Sequence, residues 1–166
     1  MSPVEPSALA LQRLYHWEKT TPERVVFTQP YEGAAKGTGQ VRTWTWKQAM
    51  GETRRMAAYL KSLNLPKGSH IALISKNTAQ WLLTDWAIWM TGHVSVPLYP
   101  TLAADTVRQI LEHSEARACF VGKLDGWDTM KSGVPDGMLC IAYPLSPAGV
   151  RSEHPGWDER CAAVVP

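Results

Sequence analysis

Binding phosphate takes backbone amides from a glycine-rich turn together with a correctly spaced lysine, and Gly33-Ala34-Ala35-Lys36-Gly37-Thr38-Gly39 is where this chain comes nearest to that pattern. It does not qualify. The lysine precedes its glycine and the Gly-x-x-x-x-Gly-Lys-Ser/Thr spacing is absent, so the residues favour a hairpin turn. His16, His70, His93, His113 and His154 are scattered, without His-x-x-x-His spacing or a cysteine partner, which argues against a metal site. Ser75, Ser95 and Ser114 lack the Gly-x-Ser-x-Gly setting of a hydrolase nucleophile. His93 stands where a strand should begin and could be imagined as a general base, but a partly exposed structural histidine is the preferred reading. Tyr99 and Thr101 are the substrate-binding candidates, because they lie just past the C-terminal end of an expected parallel strand, where open α/β sheets place ligands. Against them, Pro97 and Pro100 make a rigid turn and Thr101 could serve only as a helix cap, and this structural reading is the stronger.

The elements that would position these residues follow from periodicity. Leu65-Pro66-Lys67-Gly68 is a turn signal, and His70 to Ser75 is a short apolar run suited to a buried strand. Asn77 and Gln80 have capping-box spacing for a helix whose body, Trp81 to Met90, is apolar nearly all round and so is expected to be buried on most sides. Gly92 ends that helix, and His93 to Val96 forms a strand that Pro97 should stop. Connections this short require a parallel pair. Upstream, a helix is expected near residues 7–19, then a strand over 24–29 and another over 41–46, paired as an antiparallel hairpin on the sheet edge. Thr45 and Gln48 form a capping box for a helix reaching about Leu63, with Ala49, Thr53, Met56, Leu60 and Leu63 along one face and Lys47, Arg54 and Lys61 on the other. Downstream come a helix bearing Val107, Ile110, Leu111 and Ser114, a strand over 118–121 and a further short strand over 138–142. The fold class is therefore α/β: a mainly parallel sheet flanked by helices, with an antiparallel N-terminal hairpin.

Composition narrows the function classes. Seventeen basic against fifteen acidic residues leave a net charge of +2 with no basic run, which argues against a nucleic-acid groove. The longest apolar run is far short of the roughly 20 residues of a transmembrane segment, and the N-terminus does not read as a signal peptide. Cys119, Cys140 and Cys161 are odd in number and widely spaced, which implies neither a disulfide framework nor a zinc site and fits a reducing, cytoplasmic setting.

In order and spacing, Val41-Arg42-Thr43-Trp44-Thr45-Trp46, Lys67-Gly68-Ser69-His70-Ile71-Ala72, Asn77-Thr78-Ala79-Gln80-Trp81 and Pro97-Leu98-Tyr99-Pro100-Thr101 resemble the N-terminal region of the adenylate-forming acyl-CoA synthetases. Within them the long-chain fatty-acid–CoA ligases are the most similar, over roughly residues 9–122. Ser69 replaces the usual aspartate and His70 the usual basic residue, both at a turn. The resemblance implies a parent enzyme that uses ATP, Mg²⁺ and coenzyme A to convert a fatty acid to an acyl-adenylate and then to a thioester. The family's phosphate loop ending in Pro-Lys-Gly, its adenine motif, its magnesium-holding acidic residue, its hinge and its C-terminal catalytic lysine have no matching positions here. No catalytic or cofactor-binding residue is therefore assigned, none of these cofactors is expected to be bound by this chain, and the chain alone is expected to be inactive.

Two residue sets take a possible role from the resemblance. Arg54 and Lys61 could meet coenzyme A phosphates, although a solvated helix face is preferred. Trp81, Trp86 and Trp89 could line an acyl tunnel, although a core helix is preferred. The expected organisation is residues 1–143 as an N-terminal α/β subdomain and 144–166, rich in proline and glycine, as an irregular tail that seldom packs into a core. Other readings are a stand-alone module that binds protein partners or self-associates through an uncovered apolar face and, more weakly, a flavodoxin-like nucleotide or flavin binder.

Overall fold

Three apolar runs dictate the centre of the molecule. In the computed structural model, which describes residues 5–31 and 39–165, they are β3 (His70–Ile74), β5 (Ala118–Val121) and β6 (Leu139–Ala142). With β4 (Val94–Leu98) they form a four-stranded sheet in the order β4-β3-β5-β6, parallel throughout. Parallel strands covered on both faces need unbroken apolar sequence, and the four residues of β5 are all buried. Alternate side chains divide between the faces. Ile71, Leu73, Ala118, Phe120 and Ile141 point into one core, and Ala72, Ile74, Cys119, Val121 and Cys140 into the other.

The first core is roofed by α2 (Trp46–Ser62), α3 (Ala79–Met90) and the later α7 (Trp157–Ala162), with α1 (Ala10–Thr20) packed outside them. The second lies under α4 (Ala104–His113), α5 (Trp127–Met130) and α6 (Ala148–Glu153). Each large aliphatic or aromatic side chain buried there contributes about 1.5–3 kcal/mol of transfer free energy.

α2 forms as its sequence predicts. The Thr45 hydroxyl accepts from Gln48 N at 3.3 Å and the Gln48 carboxamide accepts from Thr45 N at 2.9 Å. Ala49, Thr53, Met56 and Leu60 are buried on one face. The hairpin of β1 (Val25–Pro30) and β2 (Val41–Thr45) is antiparallel, yet it is a separate two-stranded sheet packed on the helices rather than an edge of the parallel one. Phe27 and Trp46 lie against Trp86 of α3, with ring centres at 5.4 and 6.1 Å. The expected turn over Gly33–Gly39 lies almost wholly outside the described residues.

Four other expectations need correction. Thr78 rather than Asn77 caps α3, because Thr78 holds the extended backbone from which its hydroxyl accepts Trp81 N at 3.2 Å; Gln80 is buried, and its carboxamide has no hydrogen-bond partner among the described residues. The α3 helix is also less enclosed than its composition predicts, since Leu82 and Trp89 are 37% and 38% exposed. Pro97 does not stop β4. Val94 N donates to Ser69 O on the β3 side, so residues two apart turn their amides the same way and Pro97 falls on the outer side, where no ladder bond is lost. Finally, the segment after Tyr143 is not irregular: α6 and α7 place Val150 and Trp157 wholly in the two cores.

The anchor of that segment is Glu52, whose buried carboxylate accepts from Arg42 at 2.7 Å, Trp44 Nε1 at 2.8 Å and Trp157 Nε1 at 2.6 Å. Three donors satisfy a charge that would be costly to bury alone. They also tie β2, α2 and α7 into one unit.

Candidate functional site

In a parallel sheet the strand C-termini form the ligand edge, and the crevice opens where the chain order reverses. From β3 the chain moves outward to β4, then crosses back to β5 on the other side of β3, so the reversal lies between β3 and β5. The loops leaving these strands are Ser75-Lys76-Asn77 and Gly122-Lys123-Leu124. They do not part. Gly122 N donates to Ile74 O at 2.8 Å, Lys76 N to Lys123 O at 2.9 Å, and Lys123 N to the Ser75 hydroxyl at 3.0 Å, while Lys76 Nζ pairs with the Asp125 carboxylate. Glycine at position 122 permits this closure, since a Cβ there would lie 2.2 Å from Ser75 Oγ and 2.4 Å from the Tyr143 ring. Tyr143 is fully buried and donates to the Thr84 hydroxyl at 2.7 Å, and burial pushes its phenol well above the usual range.

The seam divides the edge into two hollows. One, of about 290 Å³, is formed by Ser75, Asn77 and Trp81 against Pro97, Leu98, Tyr99 and Pro100. The other, of about 680 Å³, carries Lys123, Asp125, Ser146 and Arg151 at the ends of β5 and β6. Tyr99 thus stands at the first hollow, 77% exposed. Thr101 is exposed and does not line it, and it does not cap α4, whose N-cap is Ala103.

The remaining candidates are separated by the fold. His93 is buried rather than partly exposed, but it immediately precedes β4 and so lies at the opposite end of the sheet from the hollows. His70 is at that end too, with Nδ1 bonded to Ser114 O, which gives it a structural role at its turn. Arg54 is no free phosphate ligand, because both terminal nitrogens of its guanidinium bond the Glu18 carboxylate, an interaction that raises its pKa further. The three tryptophans reach different environments: Trp81 walls the small hollow, Trp86 is in the core and Trp89 faces outward.

Among the described residues no group of three or more His, Cys, Asp or Glu could hold a metal ion, and the closed seam provides no cradle of free amides for triphosphate. What the edge offers is a rigid support with an aromatic rim. Sequence reasoning missed Ser75 and Gly122, the residues that close it. The available signal was a lone serine and a lone glycine, each directly after an apolar strand.

The AMP-binding enzyme family matches residues 14–154 of the chain. The long-chain-fatty-acid–CoA ligase FadD15 of Mycobacterium tuberculosis is 27% identical over 136 residues, which are 82% of this chain and 22% of that protein. Fatty acyl-CoA synthetase A of Dictyostelium discoideum is 34% identical over 77 residues, 46% of this chain and 12% of its own. A benzoate CoA ligase from Burkholderia xenovorans superposes with a TM-score of 0.74 at 19% identity, covering 94% of this chain and 28% of that one. The luciferase-like enzyme of the mealworm Zophobas morio gives 0.74 at 15% identity, covering 100% and 36%. The chain thus spans about a fifth of the length of the curated long-chain ligase it matches.

Proposed function

This chain belongs to the AMP-binding enzyme family, and from that premise we propose that it forms the N-terminal part of the large domain of a long-chain fatty-acid–CoA ligase. The observation that carries the reading is the family match over residues 14–154, within which Pro97-Leu98-Tyr99-Pro100-Thr101 closes β4 at the ligand edge. The names of the matched long-chain ligases support the acyl class. In such an enzyme the carboxylate attacks the α-phosphorus of ATP and displaces pyrophosphate, and the coenzyme A thiol then attacks the acyl carbon of the mixed anhydride and displaces AMP, a good leaving group at neutral pH. The residues of this chain supply the scaffold: the β3 to β5 seam fixes the sheet edge, and Tyr99 presents an aromatic side chain at its rim. In the same proposal, the α/β subdomain extends through α6 and α7, whose Val150 and Trp157 fill its two cores. ATP, Mg²⁺ and coenzyme A belong to the whole enzyme, in the cytoplasm.

An ATP–pyrophosphate exchange assay with palmitate tests this. The chain by itself gives no turnover above a heat-killed control, and turnover would overturn the scaffold role. The full enzyme exchanges faster with palmitate than with octanoate; the reverse order would overturn the long-chain assignment.

A second reading, self-association, is favoured by the exposure of Leu82, Trp89, Val94 and Tyr99 along α3, β4 and the turn that follows. Sedimentation velocity decides it, since a single monomeric species across the concentration range would remove it.

A further inference from the structure

We propose that the cavity between β2 and the first half of α2 is a binding site for a phosphate-bearing small molecule, held by Arg55 and Lys47, with Arg42, itself paired with Glu52 and Asp158, in its wall. The inference stands apart from the ligase reading. The space is about 470 Å³, within the range of small-ligand sites. Its walls bring together three cations and two carboxylates, Glu23 and Glu52.

The balance of these charges decides what the cavity attracts. The Glu52 carboxylate already accepts from Arg42, Trp44 and Trp157, so its charge is largely spent on protein donors. Glu23 is exposed at the rim. Arg42 is held in place by Glu52 at 2.7 Å, by Asp158 at 3.7 Å and by the Trp44 ring 4.2 Å below its guanidinium carbon, yet its side chain is still 39% exposed. Arg55 is half-buried, and neither it nor Lys47 has a side-chain hydrogen bond or ion pair among the described residues. Two cations with no ion pair among the described residues therefore face the same space as Arg42, which is paired with Glu52 and Asp158. An oxyanion that accepts from several directions suits this set, and guanidinium forks match phosphate oxygens in pairs. A monocarboxylate offers two oxygens and a single charge, fewer than a phosphate brings to the same cations.

Gly51 is the independent sign that this wall is open. Glycine in a helix interior is unfavourable relative to alanine. Nothing in the packing requires it here, since a Cβ would meet only Arg55 Nη1, at an ordinary 3.9 Å. The missing side chain leaves the Arg55 guanidinium lying along a bare stretch of helix beside the cavity.

Calorimetric titration of the chain with inorganic phosphate and with pyrophosphate at low ionic strength tests the site, with thermal melts to verify folding of each variant. Saturable single-site binding is expected, tighter for pyrophosphate and weakening as salt screens the cations. Arg55→Gln weakens it about tenfold, as loss of a charge-assisted hydrogen bond would, and Lys47→Gln weakens it less. Gly51→Leu intrudes on the space and weakens binding while favouring the helix, and Lys67→Gln, an exposed charge outside the cavity, leaves binding unchanged. Absence of saturable binding, full affinity in folded Arg55→Gln or Gly51→Leu, or acetate binding as tightly as phosphate would overturn the proposal.

Discussion

The seam between β3 and β5 and the outer side of α3 with β4 share one sheet but are finished differently. At the seam, backbone amides, the Ser75 hydroxyl and the Lys76–Asp125 pair are all matched, and Gly122 is fitted against Ser75 and Tyr143 with no room for a methyl group. On the outer side Leu82, Trp89 and Val94 are 37%, 38% and 45% exposed, and Asp85, half-buried among them, takes one hydrogen bond from Ser95. The contrast shows where stability resides. Tight complementarity makes a substitution at the seam costly, whereas a face with few enclosing neighbours has little to lose.

Breaking the enclosed side hardest is expected at Trp157, which fills the core beneath α7 and donates to Glu52. Trp157→Ala should lower the urea-unfolding free energy by about 3–5 kcal/mol through cavity formation. A loss near zero would mean that α7 does not belong to the core. Gly122→Ala comes next, at about 1–3 kcal/mol, because Ser75 and Tyr143 must both give way to a Cβ. Equal stability in denaturant melts would show that the seam is looser than its distances indicate.

The outer side responds more weakly and in the opposite sense. Burial raises the Asp85 pKa, partly offset by the Ser95 hydroxyl. A carboxyl whose folded pKa is raised holds its proton more tightly in the native state, so its contribution is fully present below its unfolded pKa near 4 and is lost as pH rises through the folded value. Asp85→Asn should therefore raise the melting temperature at pH 7 and flatten its decline between pH 4 and 7; an unchanged pH profile would exclude this. Smallest of all, Trp89→Ser should shift stability by no more than about 0.5 kcal/mol while improving solubility, and a loss of several kcal/mol would place Trp89 inside the core.

Local signals were legible wherever one segment sufficed to satisfy itself. The Thr45–Gln48 capping box, the apolar strands at 70–74 and 118–121 and the glycine stop at Gly92 all came from neighbouring residues. Asn77 and Thr78 are both good caps, and only the backbone angles choose Thr78. Pro97 breaks a strand that is paired on both sides, and only sheet order shows that β4 has a free side. For the candidate site, strand position alone brings Tyr99 to the small hollow, while only the fold shows that Thr101 neither lines it nor caps α4. Trp157 stands in a segment whose prolines and glycines suggest a surface path, and its partner Glu52 is 105 residues away.

By itself, then, the sequence determined the α/β class, most of the strands and helices that build it and the resemblance to a family of adenylate-forming enzymes, because periodicity, caps and motif order are short-range properties of the chain. The tertiary structure decided the rest. Which tryptophans share a core, which arginine is paired with a carboxylate, and whether the sheet edge opens or closes all depend on residues distant in sequence. Their energies arise only when burial removes water from both partners at once.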